Sequence, residues 1–190
     1  NGVTKLEDLK GLKLRGPTRQ ATALLAALGA TPVGMPVPAM PEALSKGVID
    51  GTVIPWEVTT PLKVAQLVQS HTNFTGSRGL YTSFFVFAMN KAKYDALPAD
   101  IKKVIDANSG KETSKWIGRV MDEGDAPGIE VAKKSGNKMI TLDAAETARW
   151  KAAAAPIADA WVKEMGGKGY PAAEMVKDAK ALIAKYAGAE

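Results

Sequence analysis

The chain has 190 residues, a formal net charge of +5, 46% apolar and 24% charged residues, no cysteine and a single histidine. This is an ordinary globular composition, long enough for one domain with a real core or for two small lobes. It excludes a disulfide framework, a thiolate metal site, a cysteine nucleophile and a membrane-spanning run of about 18 uncharged apolar residues. The basic residues are scattered without interleaved aromatics, so nucleic acid is not an expected partner. No basic segment followed by an apolar one opens the chain, and its abrupt start at Asn1 is what a truncated or processed product would show.

Taken in order, Leu6–Leu9 reads as a helical turn led by Thr4, with Glu7 as its capping-box partner. Leu12–Arg15 alternates like a strand, and Gly16-Pro17 stops it. Thr18 can cap a helix over Gln20–Leu28, which Gly29 ends, and Thr31–Met35 is a second strand. This is a β-α-β unit with a connection long enough for a parallel crossover. A helix over Ala39–Ser45, a strand over Ile49–Ile54 and a helix over Leu62–Val68 follow. Phe84–Met89 is aromatic and apolar throughout and predicts a central strand buried on both faces. Helices are then expected over Ala92–Leu97, Ala99–Asn108 and Ser109–Lys134, the last with a break near Pro127-Gly128. Lys138–Thr141 reads as a strand. Asp143 caps a helix over Ala144–Met165 that Pro156 should kink, and Ala172–Tyr186 is a final amphipathic helix. The fold class is α/β.

Few residues could carry chemistry. His71 is the only histidine, which leaves no His-based triad and no histidine metal cluster, and it reads as structural. Phosphate-loop, dinucleotide and nucleophile-elbow motifs are absent. Asp50, beside Gly51, reads as a turn residue. Arg15 stands out. It ends a strand just before a helix begins, and ligands of open α/β sheets collect there, where helix N-termini also favour anions. Its guanidinium can grip a carboxylate with two parallel hydrogen bonds, or it can form a salt bridge with Glu7 or Asp8. Trp56 and Glu57 follow the third strand in the same way, and Trp56 can wall a ligand site or cover a core edge. An enzyme built on Arg15, Asp50 and Glu57 is the alternative reading, and it lacks a base with an orienting partner.

The run Leu6-Glu7-Asp8-Leu9-Lys10-Gly11-Leu12-Lys13-Leu14-Arg15 resembles the DLKGLK-x-R signature of substrate-binding proteins of tripartite ATP-independent periplasmic (TRAP) transporters. Leu28-Gly29-Ala30-Thr31-Pro32-Val33 is similar to the family's GA-x-P-V step. Glu42-Ala43-Leu44 with Gly47-Val48-Ile49-Asp50-Gly51 resembles its AL-x-x-G-x-x-DG block. Phe87–Lys91, Leu97-Pro98 and Gly136–Ile140 fit in the same order, so the resemblance runs from about residue 4 to about residue 165.

The resemblance implies a periplasmic-binding-protein-like fold of two α/β lobes joined by strands and a long helix, closing on a ligand. Residues 1–80 and 121–165 would form the second lobe, 81–120 the returning segment of the first, and 166–190 a helical tail. The segment that builds most of the first lobe would precede this chain, so the strand Phe84–Met89 would lack its sheet neighbours and self-association is expected. The protein would be an extracytoplasmic solute-binding component, periplasmic after removal of a signal peptide. It would need no cofactor or metal, carry no enzymatic activity, and deliver a small organic carboxylate to the transporter's membrane subunits. The arginine matching Arg15 usually pairs with the substrate carboxylate. Pro17 and Thr18 would line the mouth, and Val37, Ile54 and Trp56 would form apolar walls. Those walls suit a monocarboxylate better than a hydroxyl-rich sugar acid, since each further buried polar group needs its own partner.

Overall fold

The computed structural model describes residues 2–76, 79–83 and 85–186. Its organising unit is the expected β-α-β. Strand β1 (Lys13–Gly16) leads through Pro17 to Thr18, whose hydroxyl accepts the Ala21 N–H at 3.1 Å and so caps helix α1 (Arg19–Ala27). Gly29 sits at φ +93°, a left-handed conformation that costs glycine nothing, and lets the chain turn into β2 (Thr31–Gly34). Strand β2 pairs parallel to β1, with Lys13 opposite Thr31 and Gly16 opposite Gly34. A 3-10 turn at Val37–Ala39 and helix α2 (Met40–Ser45) carry the chain across to β3 (Gly51–Thr52), parallel to β1 on its other side. The sheet order is β2-β1-β3, which leaves β1 and Arg15 in the middle.

A second, two-stranded parallel sheet pairs β4 (Ser70–Phe74) with β5 (Lys138–Leu142). Between them run α3 (Lys91–Asp95), α4 (Ala99–Ala107) and the long α5 (Lys111–Lys134). Helix α6 (Ala144–Gly166), capped by Asp143, and helix α7 (Ala172–Tyr186) follow β5. One core joins the two sheets to α1 and α6: Leu14, Leu25, Leu28, Ile140, Leu142 and Trp150 are buried together, and Phe74 meets Trp150 edge-on at 5.3 Å. A second cluster, Met40, Ala43, Ile49 and Val64, packs with Val33 and Ile54.

Several expectations are corrected. The predicted central strand does not form: Phe85–Met89 have no regular structure, Phe85 is 74% exposed and Phe87 fully so, while Phe84 lies outside the described residues. A strand is stable only when its N–H and C=O groups meet a neighbouring strand, and none of the described residues pairs with this run. The third strand contracts to Gly51–Thr52, because Ile49 turns into the second core cluster and Pro55 ends the extended run. Leu62–Val68 yields only a 3-10 turn at Val64–Gln66, since Lys63 at φ +54° breaks helical geometry. Asp8, not Glu7, caps the first turn by accepting from the N–H groups of Thr4 and Lys5. Glu7 pairs with Arg149 instead. Helix α5 is continuous through Pro127-Gly128, where a break was expected: a proline removes one intrahelical hydrogen bond, and the flanking bonds carry the helix past it. Strand β4 was not anticipated as an element, because Ser70-His71-Thr72-Asn73 is polar and only its pairing with β5 makes it a strand.

Candidate functional site

The parallel sheet places Arg15 on its central strand, one residue before β1 ends, and leaves its side chain 2% exposed. Its Nε donates to the Met35 carbonyl at 3.1 Å. Among the described residues no carboxylate lies within ion-pair distance of its guanidinium. The alternative salt bridges are excluded, since Glu7 is engaged with Arg149 and Asp8 with the first turn. Burial lowers the pKa of the guanidinium, and a nearby Tyr81 partly offsets this. A charge that is buried without a partner is costly, and native proteins seldom keep one without a use.

The other proposed contacts are distributed as follows. Pro17 is half-buried and Thr18 exposed at the start of α1, with the Thr18 hydroxyl committed to its capping bond. Val37 is partly exposed at the start of its 3-10 turn. Ile54 packs on the second core cluster and also lines a broad open cleft, as does Trp56. Arg15, Pro17, Thr18 and Val37 do not line that cleft. Trp56 is held firmly: its indole N–H donates to Asn73 Oδ1 at 3.2 Å, and its ring lies 4.8 Å from that of His71 at a 36° tilt. Asn137 donates through Nδ2 to the Val68 carbonyl, which leaves its oxygen to accept from His71 Nε2 at 2.9 Å. The lone histidine is thus a structural strut, as its sequence position suggested.

The residues of the enzyme alternative are not brought together. The Asp50 carboxylate accepts the Lys13 N–H at 2.8 Å, a turn-fixing role. Glu57 faces α5, where its own N–H donates to Asp125 Oδ1 at 3.0 Å. Burial, with the neighbouring carboxylates of Asp125 and Asp122, pushes the Glu57 pKa up, and burial does the same for Asp125. No hydrogen bond links Arg15, Asp50 and Glu57 among the described residues. None of the described residues form a cluster fit to hold a metal ion.

Two features escaped sequence reading. Tyr81 lines the cleft, and its hydroxyl is buried without a hydrogen bond. Glycines of α5 also bring that helix against Trp56 and Glu57: a Cβ on Gly128 would strike the Trp56 carbonyl, and one on Gly124 would lie 2.8 Å from Glu57 Cβ. A tyrosine in an irregular connection gives no periodic signal. The spacing of Gly124 and Gly128, four residues apart on one helix face, was legible.

Residues 1–164 match the family described as bacterial extracellular solute-binding protein, family 7 (DctP). A TRAP solute-binding protein from Rhodoferax ferrireducens T118, solved with copurified benzoate, is 49% identical with a TM-score of 0.91, covering 96% of this chain and 57% of that one. A marine-metagenome TRAP solute-binding protein specific for aromatic acid ligands, solved with 3-hydroxybenzoate, is 46% identical with a TM-score of 0.92, covering 98% and 58%. A solute-binding protein of Verminephrobacter eiseniae is 35% identical over 163 residues, which are 84% of this chain and 46% of that protein. The chain therefore spans about half the length of the curated relative and under three-fifths of the solved ones. No helix among the described residues is long and apolar enough to cross a membrane. With the ordered motifs, the central β-α-β unit and these likenesses in agreement, the chain belongs to bacterial extracellular solute-binding protein family 7, the periplasmic solute-binding proteins of TRAP transporters.

Proposed function

We propose that this chain carries the anion-gripping part of a solute-binding protein that captures a small organic monocarboxylate with an apolar or aromatic body. The protein passes it to the membrane subunits of a TRAP transporter and acts by binding, with no chemical conversion. In this reading residues 1–80 and 121–165 belong to one lobe, 81–120 return to the other, and 166–190 form a tail. The observation that carries it is Arg15: a buried guanidinium at the end of the central strand, held through Nε, with no carboxylate of the described residues beside it. Pro17, Thr18 and Val37 stand at the neighbouring turns, and Ile54 and Trp56 supply apolar surface. The aromatic acids bound by the two solved relatives support the same ligand class.

A charge-assisted bidentate pair contributes about 1.5–3 kcal/mol. Replacing Arg15 by Ala in the longest polypeptide that carries this sequence should therefore weaken benzoate binding at least about tenfold by calorimetry. Arg15→Lys should recover only part of the loss, because an ammonium lacks the planar fork. Unchanged affinity in Arg15→Ala would show the anchor to be elsewhere. A second reading concerns the chain by itself. The exposed run Phe85–Met89 favours self-association, and a monomer by light scattering at high concentration would count against it.

A further inference from the structure

Tyr81 lines the cleft and lies within electrostatic reach of both a cation, Arg15, and a carboxylate, Glu57. Its hydroxyl is buried and makes no hydrogen bond; Ser83 lies beside it without forming one of ordinary geometry. Buried hydroxyls are paired in nearly all folded proteins, so an orphan on a residue that lines a cleft points to a partner that arrives with a ligand. Tyr81 and Arg15 are near enough for each to feel the other's charge. Glu57 is also near enough to Tyr81 to act on it electrostatically. With Glu57 come Asp125, which accepts its N–H, and Asp122, and all three carboxylates line the cleft together with Tyr81. Tyr81 thus lies among the carboxylates of the cleft, while Arg15, which does not line the cleft, is near enough to act on its hydroxyl.

We infer that Tyr81 is a second ligand-binding residue, its hydroxyl donating to the carboxylate held by Arg15, and that the Glu57–Asp122–Asp125 wall restricts the site to monoanions. The inference rests on the reading of Arg15 as the anchor. A carboxylate accepts at about four positions, of which a guanidinium fork fills two. A phenol can fill a third without adding charge, so one positive group remains matched to one negative group. A second carboxylate on the same ligand would be driven toward the acidic wall, where repulsion and burial both act against it. A carboxylate-free far end, apolar or bearing a hydroxyl, meets no such opposition.

Calorimetry with benzoate and with isophthalate, its 1,3-dicarboxylate counterpart, on the longest polypeptide that carries this sequence tests both halves. Isophthalate should bind at least about a hundredfold more weakly than benzoate. Tyr81→Phe should weaken benzoate at least about tenfold, the loss of one hydrogen bond to a charged acceptor, with the thermal midpoint checked alongside. Glu57→Gln should narrow the benzoate-to-isophthalate ratio by a gain on the isophthalate side. Benzoate affinity within twofold of the parent in Tyr81→Phe overturns the tyrosine assignment, and an unchanged ratio in Glu57→Gln overturns the acidic wall. If Tyr81→Phe does not fold, alkaline titration of the parent near 295 nm decides. A phenol donating to a bound carboxylate holds its proton more tightly, so one tyrosine should titrate higher with benzoate than without, and no change overturns the assignment. Loss of benzoate binding in Arg15→Ala with Tyr81→Phe unaffected removes this inference alone, whereas full binding in Arg15→Ala removes the reading beneath it.

Discussion

Gly128 and Gly118 lie on the same helix, α5, and replacing each by alanine should have different outcomes, a gain in stability at Gly118 and none or a loss at Gly128. In an exposed helix interior, Gly→Ala gains about 1 kcal/mol, because alanine loses less conformational freedom on folding. A Cβ on Gly118 meets nothing within 4 Å, so Gly118→Ala should collect that gain. A Cβ on Gly128 would strike the Trp56 carbonyl oxygen and stand 2.8 Å from Thr59 Oγ1. Neither neighbour can give way cheaply, for the Trp56 carbonyl already accepts from the Thr59 hydroxyl at 2.7 Å and Thr59 is buried. Overpacking of this kind costs about 1–3 kcal/mol, which cancels or exceeds the propensity gain. The two variants should therefore differ by about 1–3 kcal/mol, or about 2–4 °C of thermal midpoint for each kcal/mol in a chain of this size. Urea titration with unchanged m-values should confirm that the difference lies in the native state. If Gly128→Ala is as stable as Gly118→Ala, α5 does not press on the Trp56 turn as described, and the positioning of that site wall needs another explanation.

Further outcomes follow from the same contacts. Glu164, which pairs with Arg19 and Lys168, has its pKa pulled down to about 2, so its contribution is present above the ordinary carboxylate pKa near 4.5 and is lost as pH falls toward 2; thermal midpoints of Glu164→Gln should be flatter than the parent's over that interval. Glu57 has the opposite sign: its pKa is raised, chiefly by burial, so its charge opposes folding at neutral pH, and Glu57→Gln should be neutral or stabilising at pH 7, with the difference vanishing below about pH 4.5. Asp143→Ala removes the cap that accepts the Glu146 N–H at 2.8 Å, and should cost about 1 kcal/mol in denaturant titration. Leu25→Ala, at a side chain 1% exposed in the core between α1 and the sheet, should cost about 3–5 kcal/mol, and a loss below 1 kcal/mol would show that this core relaxes around the cavity.

Local signals carried the first part of the fold further than the rest. Thr18 as a cap, Gly29 as a stop and the spacing of Lys13 and Thr31 were enough to place β1, α1 and β2 in a parallel unit with Arg15 at its end. Asp143 and the alanine-rich run after it located α6 equally well, because caps and helix formers act within a few residues. The errors fall where distant partners decide. Ser70–Phe74 is a strand only because β5 lies beside it, while Phe84–Met89 has strand composition and its described part, Phe85–Met89, pairs with no described neighbour. The position of Arg15, the proposed anchor, at a strand end was legible. The proposed role of Tyr81 was not legible, because it rests on a buried hydroxyl and on the proximity of Arg15 and Glu57, which only the folded chain reveals.

The pairing of β4 with β5 bears on how the chain folds. In the first sheet β1 meets β2 across about 18 residues, whereas β4 and β5 meet across about 70, roughly two doublings of loop length and about 1.2 kcal/mol of additional closure entropy. The three-stranded unit should accordingly form early, with the β4–β5 ladder completed late in the reaction. During synthesis at about 5–20 residues per second, β4 would emerge some 4–14 seconds before its partner exists. Through that interval Ser70, His71, Thr72 and Asn73 can hydrogen-bond to water, so a polar strand that looks ill suited to a sheet is well suited to waiting for one.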